Sequence, residues 1–409
     1  MTQTLFTGGR LLDPAQDQLR DGMEILIEDG LIREVSDRPI RSEAARRIDL
    51  GGRTIMPGLV DAHVHVAATL VNLVLNAELP SSLIALRTGR IMNAMLMRGF
   101  TTVRDLAGAD LGLQMAVEEG LIEGPRLVIC GKGLSQVGGH GDYRTRTDDR
   151  PHFPHRLGAL CRIVDGVDEV RRAAREEIRA GAAFIKIMAN GGVASPTDPI
   201  DFLQFSAEEI RATVEEARNA RTYVAAHLYT DEAIARAVAC GVHSLEHCNL
   251  IRPDTAAQAA KAGAIACPTL VAYEGLMLEG EAFGLSAASV AKIETVRRGG
   301  LESLQIMRDA GLPMAFGSDL LGQLHKYQSM EFSIRARVLP AAEILRSATL
   351  ISARLCRMEG RIGTLAAGAF ADLLVVDGDP LADIAVLEQP ARLAAIMKGG
   401  QFFKNTLAQ

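Results

Sequence analysis

His63 and His65, one residue apart, close an apolar run, Thr54-Ile-Met-Pro-Gly-Leu-Val-Asp-Ala-His-Val-His. Strand alternation puts both imidazoles on one face. Two neutral nitrogen donors on one face, at a strand end, make half of a divalent-metal site. Further residues with metal chemistry follow at other strand-like ends: Lys186, His227, His247 and Asp319. Taken singly, each has an ordinary alternative. A histidine can be structural, a lysine can snorkel to solvent or pair with a carboxylate, and an aspartate after Gly317-Ser318 can cap a helix.

Lys186 stands in Ala183-Phe-Ile-Lys-Ile-Met-Ala, a setting where a bare ammonium is costly. Burying it neutral would lower its pKa by several units from about 10.4. An ammonium also lacks a lone pair for a metal. A carbamate formed with CO2 removes both problems, giving an anionic two-oxygen ligand that can bridge two cations. Asp319 could ligate one cation and take a proton from its water. His243 precedes its strand rather than ending it and receives no ligand role, and His152 and His155 read as surface residues.

These positions need elements to bring them together. Strands are expected at Gly58–His63, Thr101–Asp105, Arg126–Cys130, Phe184–Met188, Val224–His227, Ser244–His247, Ala264–Pro268 and Met314–Gly317. Helical patterns lie between them at Leu83–Arg98, Val167–Ala180, Ala207–Ala220, Asp231–Cys240, Pro253–Ala262 and Ala288–Ala310. Ser206 before Ala-Glu-Glu is a good N-cap. Eight strands alternating with helices predict an α/β chain, a (β/α)8 TIM-like barrel over residues 57–359. Its catalytic mouth would lie at the strand exits. The segment Lys132–Val164, long and without clear periodicity, is expected over that mouth. Both chain ends read as short strands and turns, with hairpins at Glu28-Asp29-Gly30 and Gly399-Gly400. They predict one small β-sandwich domain built from residues 1–56 plus 360–409.

Composition narrows the function classes. The chain has 409 residues, net charge −6 and 48% hydrophobic residues. Aromatics are 4% and tryptophan is absent. Neither a nucleic-acid nor a membrane-surface partner is expected. The six cysteines form no CxxC pair and read as buried free thiols, favouring a reducing compartment. With no signal-peptide pattern at the start and no apolar run of about 18 residues, a cytoplasmic location is expected.

The segments Pro57-Gly-Leu-Val-Asp-Ala-His-Val-His, Phe184-Ile-Lys-Ile, Ala226-His, Glu246-His and Gly317-Ser-Asp together resemble the amidohydrolase superfamily. Gly363-x4-Gly-Ala-Phe-Ala-Asp-Leu-Leu-Val-Val-Asp-Gly-Asp-Pro looks like its returning β-sandwich strand. The resemblance spans nearly the whole chain. It implies that His63 and His65 bind an α metal and that carboxylated Lys186 bridges two metals. It further implies that His227 and His247 bind the β metal, and that Asp319 binds the α metal and acts as base. The family implies two zinc ions, although sequence alone does not select the metal.

A narrower resemblance rests on Lys186-Ile-Met-Ala-Asn-Gly-Gly-Val, Gly138-Gly-His-Gly-Asp and His227-Leu-Tyr-Thr. These are similar to the prolidase-like and carboxypeptidase-like branch and to ochratoxin-hydrolysing amidohydrolases. That branch cleaves amides whose amine side is an amino acid with a free carboxylate. The resemblance implies that His140 polarises the scissile carbonyl, that Tyr229 donates to a substrate oxygen, and that a homo-oligomer, an octamer, forms. His325, six residues after Asp319, is a further substrate-contact candidate, in a loop that matches the branch poorly. Rival readings are a cyclic-amide hydrolase, a related aminohydrolase, or a non-enzymatic scaffold.

Overall fold

The computed structural model describes residues 3–195, 197–283 and 287–407, without the side chains of residues 287–289. The chain is mixed α/β. Its first five strands are β1 (Gln3–Asp13), β2 (Gln18–Glu28), β3 (Leu31–Ser36), β4 (Arg46–Asp49) and β5 (Thr54–Pro57). Then come β6 (Leu59–Val64), β7 (Phe100–Asp105), β8 (Arg126–Ile129), β9 (Gly133–Ser135), β10 (Cys161–Ile163) and β11 (Ile185–Met188). The last are β12 (Val224–Thr230), β13 (Ser244–Leu250), β14 (Ile265–Cys267), β15 (Leu373–Val376), β16 (Leu393–Lys398) and β17 (Gln401–Asn405).

Both chain ends share one sheet of eight strands, ordered β17-β16-β15-β5-β1-β2-β3 with β4 on β1. Strands anticipated as a sandwich are thus linked by hydrogen bonds into one continuous sheet. Its tight turns follow from residue type. Asp29 and Gly30 have φ of 49° and 80°, and Gly399 and Gly400 have 56° and 78°. Two successive positive φ values are what a two-residue hairpin with right-handed strand twist requires.

The central strands are parallel. β6-β7-β8 form one sheet and β10-β9-β11-β12-β13-β14 another. Apart from the edge strand β10, these strands are buried on both faces, as the near-continuous apolar text of parallel strands demands. The expected helices form within about two residues of their anticipated ends, among them Ser81–Met97, Val167–Arg179 and Ala207–Asn219. The last starts with a capping box. Ser206 Oγ accepts from Glu209 N, and the Glu209 side chain accepts from Ser206 N. Helices Leu73–Glu78, Leu111–Glu118 and Leu270–Glu279 were not anticipated.

Two expected elements differ. Met314–Gly317 makes no ladder, only a single bridge from Met314 to Ala266. Its backbone is divided among neighbours. Ala315 N donates to Ala266 O, Phe316 O accepts from Ala62 N, and Phe316 N turns to Ser347 O and Ser352 Oγ. The segment Lys132–Val164 is not wholly irregular, because β9 and β10 pair in parallel at its two ends.

All six cysteines are buried and free. Among the described residues no helix is long and apolar enough to cross a membrane.

Candidate metal centre

The first imidazole pair sits where β6 ends, and a buried aspartate fixes the backbone there. Asp61 Oδ1 accepts from His63 N at 3.1 Å and from Ser318 N at 3.2 Å. Asp61 Oδ2 accepts from Ser318 Oγ at 2.6 Å and Gln328 Nε2 at 2.9 Å. His63 O in turn accepts from Asp319 N at 2.8 Å. One carboxylate and one carbonyl therefore place Asp319 beside the two histidines, across more than 250 residues of chain.

Register does the same for the other pair. In the β11/β12 ladder Lys186 faces Ala225 and Met188 faces His227. In β12/β13, Leu228 faces His247. Lys186, His227 and His247 so arrive at the same end of adjacent strands. His247, Cys248 and Asp319 have φ of 71°, 58° and 51°, left-handed conformations that cost a non-glycine residue of order 1 kcal/mol or more. The strands bend as they reach the site.

The result is one cavity lined by His63, His65, His140, Lys186, His227, Tyr229, His247 and Asp319. His63 Nε2 and His65 Nε2 lie 3.4 and 3.2 Å from Asp319 Oδ1. His247 Nδ1 is 3.9 Å from Asp319 Oδ2. The rings of His63 and His247 are 4.8 Å apart, those of His227 and His247 4.7 Å, and His140 stacks on His227 at 4.1 Å. A larger open groove at the entry of β12 and β13, lined by Tyr223, His243 and several arginines, holds none of these groups.

The tautomers are set by acceptors. His63 Nδ1 is 2.8 Å from Glu246 Oε2, His65 Nδ1 is 3.2 Å from Ala107 O, and His227 Nε2 is 3.2 Å from Gly191 O. A carboxylate and two carbonyls can only accept, so each of those nitrogens carries the proton. The other nitrogen of each ring, Nε2 of His63 and His65 beside Asp319 and Nδ1 of His227, is the one placed to offer a lone pair to a metal once deprotonated. His63 Nε2 is buried without a hydrogen-bond partner among the described residues. His63, His65 and Asp319 offer ligand atoms within 4.8 Å of one another. A second trio, His63, Glu246 and Cys267, meets the same distance limit. Glu246 there is already engaged by Arg104, Ser244 Oγ and His63 Nδ1, so its place is behind the histidine rather than on a cation.

Charge follows from burial. Lys186 is 1% exposed, and desolvation pulls its pKa below the usual lysine value. Among the described residues its ammonium has no hydrogen bond and no salt bridge. Burial works against ionised Asp319, yet His63 and the other imidazoles around it hold its carboxyl well below the usual range. Burial also works against His63 as a cation, but Asp319 and Glu246 outweigh that and raise it.

Of the substrate-contact candidates, His140 and Tyr229 line the cavity. Tyr229 OH is 3.3 Å from Tyr273 OH. His325 does not line it. It lies in a 3-10 helix, Gly322–Met330, rather than a loop, and burial together with Arg98 pushes it down to about 3. Sequence reasoning gave no role to Asp61 and Glu246, nor to Tyr143 and Tyr273 on the cavity wall. The first two were visible only as acidic neighbours of metal-type histidines, Asp61-Ala-His63 and Glu246-His247.

A family model described as amidohydrolase family matches residues 54–403. The chain is 31% identical to an ochratoxinase of Aspergillus niger over 98% of this chain and 87% of that protein. A solved structure of an amidohydrolase shares 53% identity with a TM-score of 0.98, covering 100% of both chains. A prolidase solved with N-methylphosphonate-L-proline shares 50% identity with a TM-score of 0.97, covering 99% of this chain and 100% of that one.

Proposed function

The chain belongs to the amidohydrolase family, and from that premise we propose that it is a metal-dependent hydrolase of N-acyl amino acids and dipeptides with a free carboxylate. The single observation that carries this reading is the convergence of four imidazoles, Lys186 and Asp319 on one cavity. The ochratoxinase and prolidase relatives support the substrate class. Leu73, Leu160, Leu276, Leu320, Leu321 and Leu324 on the cavity wall suit an apolar acyl group or side chain.

The donor set fits divalent metal. His63, His65 and Asp319 would hold one ion, His227 and His247 a second, and Lys186 as a carbamate would bridge them, with zinc the metal we favour. Desolvation of Lys186 supports the carbamate, because only the neutral amine reacts with CO2. When bound, divalent ions polarise a carbonyl and acidify water. Asp319, kept ionised, accepts the proton of the attacking water and passes it to the departing amine. His140 donates toward the carbonyl oxygen as charge develops on it. Tyr229 hydrogen-bonds a substrate oxygen, and His325 acts from behind the wall rather than on the substrate.

The central strands complete a (β/α)8 barrel in this reading. Ala183 N, just before β11, donates to Ile129 O of β8 at 2.8 Å, and Ala62 N of β6 donates to Phe316 O at 2.7 Å in the segment that bridges to β14; both support closure. The division into a barrel of 57–359 and a terminal β domain of 1–56 plus 360–409 belongs to the same proposal, as does a homo-oligomer.

The test is a panel of N-acyl amino acids and Xaa-Pro dipeptides against hydantoin-type rings, with metal-reconstituted protein. Linear amides should turn over and rings should not. Asp319→Asn should lower kcat by about 10²–10⁴-fold. Turnover of rings alone would favour the cyclic-amide reading, and unchanged kcat in Asp319→Asn would remove its proton-transfer role.

A further inference from the structure

Lys292, far from the metal-type residues in sequence, reaches the segment that packs against His140. Its ammonium donates to Gly192 O at 3.1 Å, Ser195 O at 3.2 Å and Asp198 O at 2.8 Å. An ammonium has three N–H donors, and all three go to one short stretch of backbone. That stretch is bound to His140 at several points. Ser195 Oγ is 2.8 Å from His140 Nδ1. Asp198 Oδ2 is 3.8 Å from the same nitrogen. It also accepts from Gly192 N and from Gln204 Nε2, each at 2.9 Å. Gln204 Oε1 in turn accepts from His140 N at 2.8 Å. Packing adds a hard limit, since a Cβ on Gly192 would lie 1.9 Å from His140 Nδ1. The segment and the ring cannot move independently.

We propose that Lys292 is a positioning residue for hydrolysis: by gathering the carbonyls of Gly192, Ser195 and Asp198, it fixes the wall that aims His140 into the cavity. The proposal rests on the reading that His140 faces the scissile carbonyl. With Nδ1 engaged by Ser195, Nε2 is the ring nitrogen left for a substrate. Without the ammonium, three carbonyls lose their common donor and the segment gains freedom. His140 then drifts, and misplacement of a catalytic group by about 1 Å costs on the order of 10²-fold in rate. The same segment lends Gly191 O to His227 Nε2, so kcat is compared at equal metal loading to separate the aim of His140 from metal retention.

The experiment compares wild type, Lys292→Met, Lys292→Arg and Ser195→Ala as full-length, metal-loaded proteins. At equal metal loading, Lys292→Met should lower kcat for N-acyl amino acids by about 10–100-fold and change KM by less than about threefold. Lys292→Arg, which keeps donors, should recover part of the loss, and Ser195→Ala should reproduce it. Hydrogen–deuterium exchange supplies a readout that needs no substrate. Peptides covering 189–205 should exchange faster in Lys292→Met while those covering β6 and β13 do not. Unchanged kcat in both Lys292→Met and Ser195→Ala would overturn the proposal. So would a kcat loss that merely tracks lost metal or folded protein, or unchanged exchange across 189–205. An inactive wild type with the expected exchange pattern would instead fault the amide-hydrolase reading.

Discussion

Glu246 shows how much of a metal-type site is held by residues that touch no cation. Its two oxygens face His63 Nδ1 at 2.8 Å and Arg104 at 2.9 Å, and all three side chains are fully buried. Burial alone would raise the Glu246 carboxyl, but Arg104, followed by His63, pulls it far below the usual range. An ionised Glu246 holds a proton on Nδ1 and so leaves Nε2 as the nitrogen turned toward Asp319 and the cavity. Glu246→Gln preserves shape but removes that charge. We expect metal affinity to fall about 10–100-fold and stability to drop by about 3–5 kcal/mol, because Arg104 would be left buried and uncompensated. Metal titration and thermal melting check both. Wild-type affinity in this variant would mean that His63 orients itself. The histidines, Lys186 and Asp319 were legible in the sequence because each breaks an apolar run at a strand end. Glu246 was not, since a single carboxylate in a strand has no local signature. Its partners Arg104 and His63 lie 142 and 183 residues away.

At the scale of elements, strand ends carry the chemistry, and their bends are bought by small neighbours. Gly317 precedes Ser318 and Asp319 where the chain crosses β6. A Cβ there would sit 2.7 Å from Cys267 Sγ and 2.8 Å from His63 Cβ. Both neighbours are fully buried, so neither can retreat. Gly317→Ala should therefore lower the thermal midpoint, by about 1–3 kcal/mol of overpacking, and weaken metal binding by displacing His63. Melting curves with and without metal separate the two effects. An alanine variant with unaltered stability would show that this crossing is looser than the distances imply. Most strands and helices were legible from periodicity. Met314–Gly317 was not, because an apolar run reveals burial but not whether its amides form a ladder. β9 and β10 were hidden within a Gly- and Arg-rich segment, where three-residue strands leave no alternation to detect.

The whole molecule joins both chain ends to the central α/β region. Leu12, Met56, Leu374, Val376, Leu393 and Ile396, from strands of the terminal sheet, belong to the same buried cluster as Val64, Phe100, Ile187 and Phe316. Gly58 N donates to Asp372 O at 2.9 Å where β5 leads into β6, and Arg126 pairs with Asp372 at 2.5 Å. The terminal sheet thus braces the strand that delivers His63 and His65. Composition could show two β-rich ends but not that they meet, which is a property of long-range pairing.

The central claim is that these distant strand ends form one binuclear site, and metal stoichiometry tests it most directly. Purified protein reconstituted with zinc and bicarbonate, then dialysed, should hold about two ions per chain. Lys186→Ala prepared in parallel should hold fewer than one. Two tightly held ions in Lys186→Ala, or none in the wild type, would contradict the account.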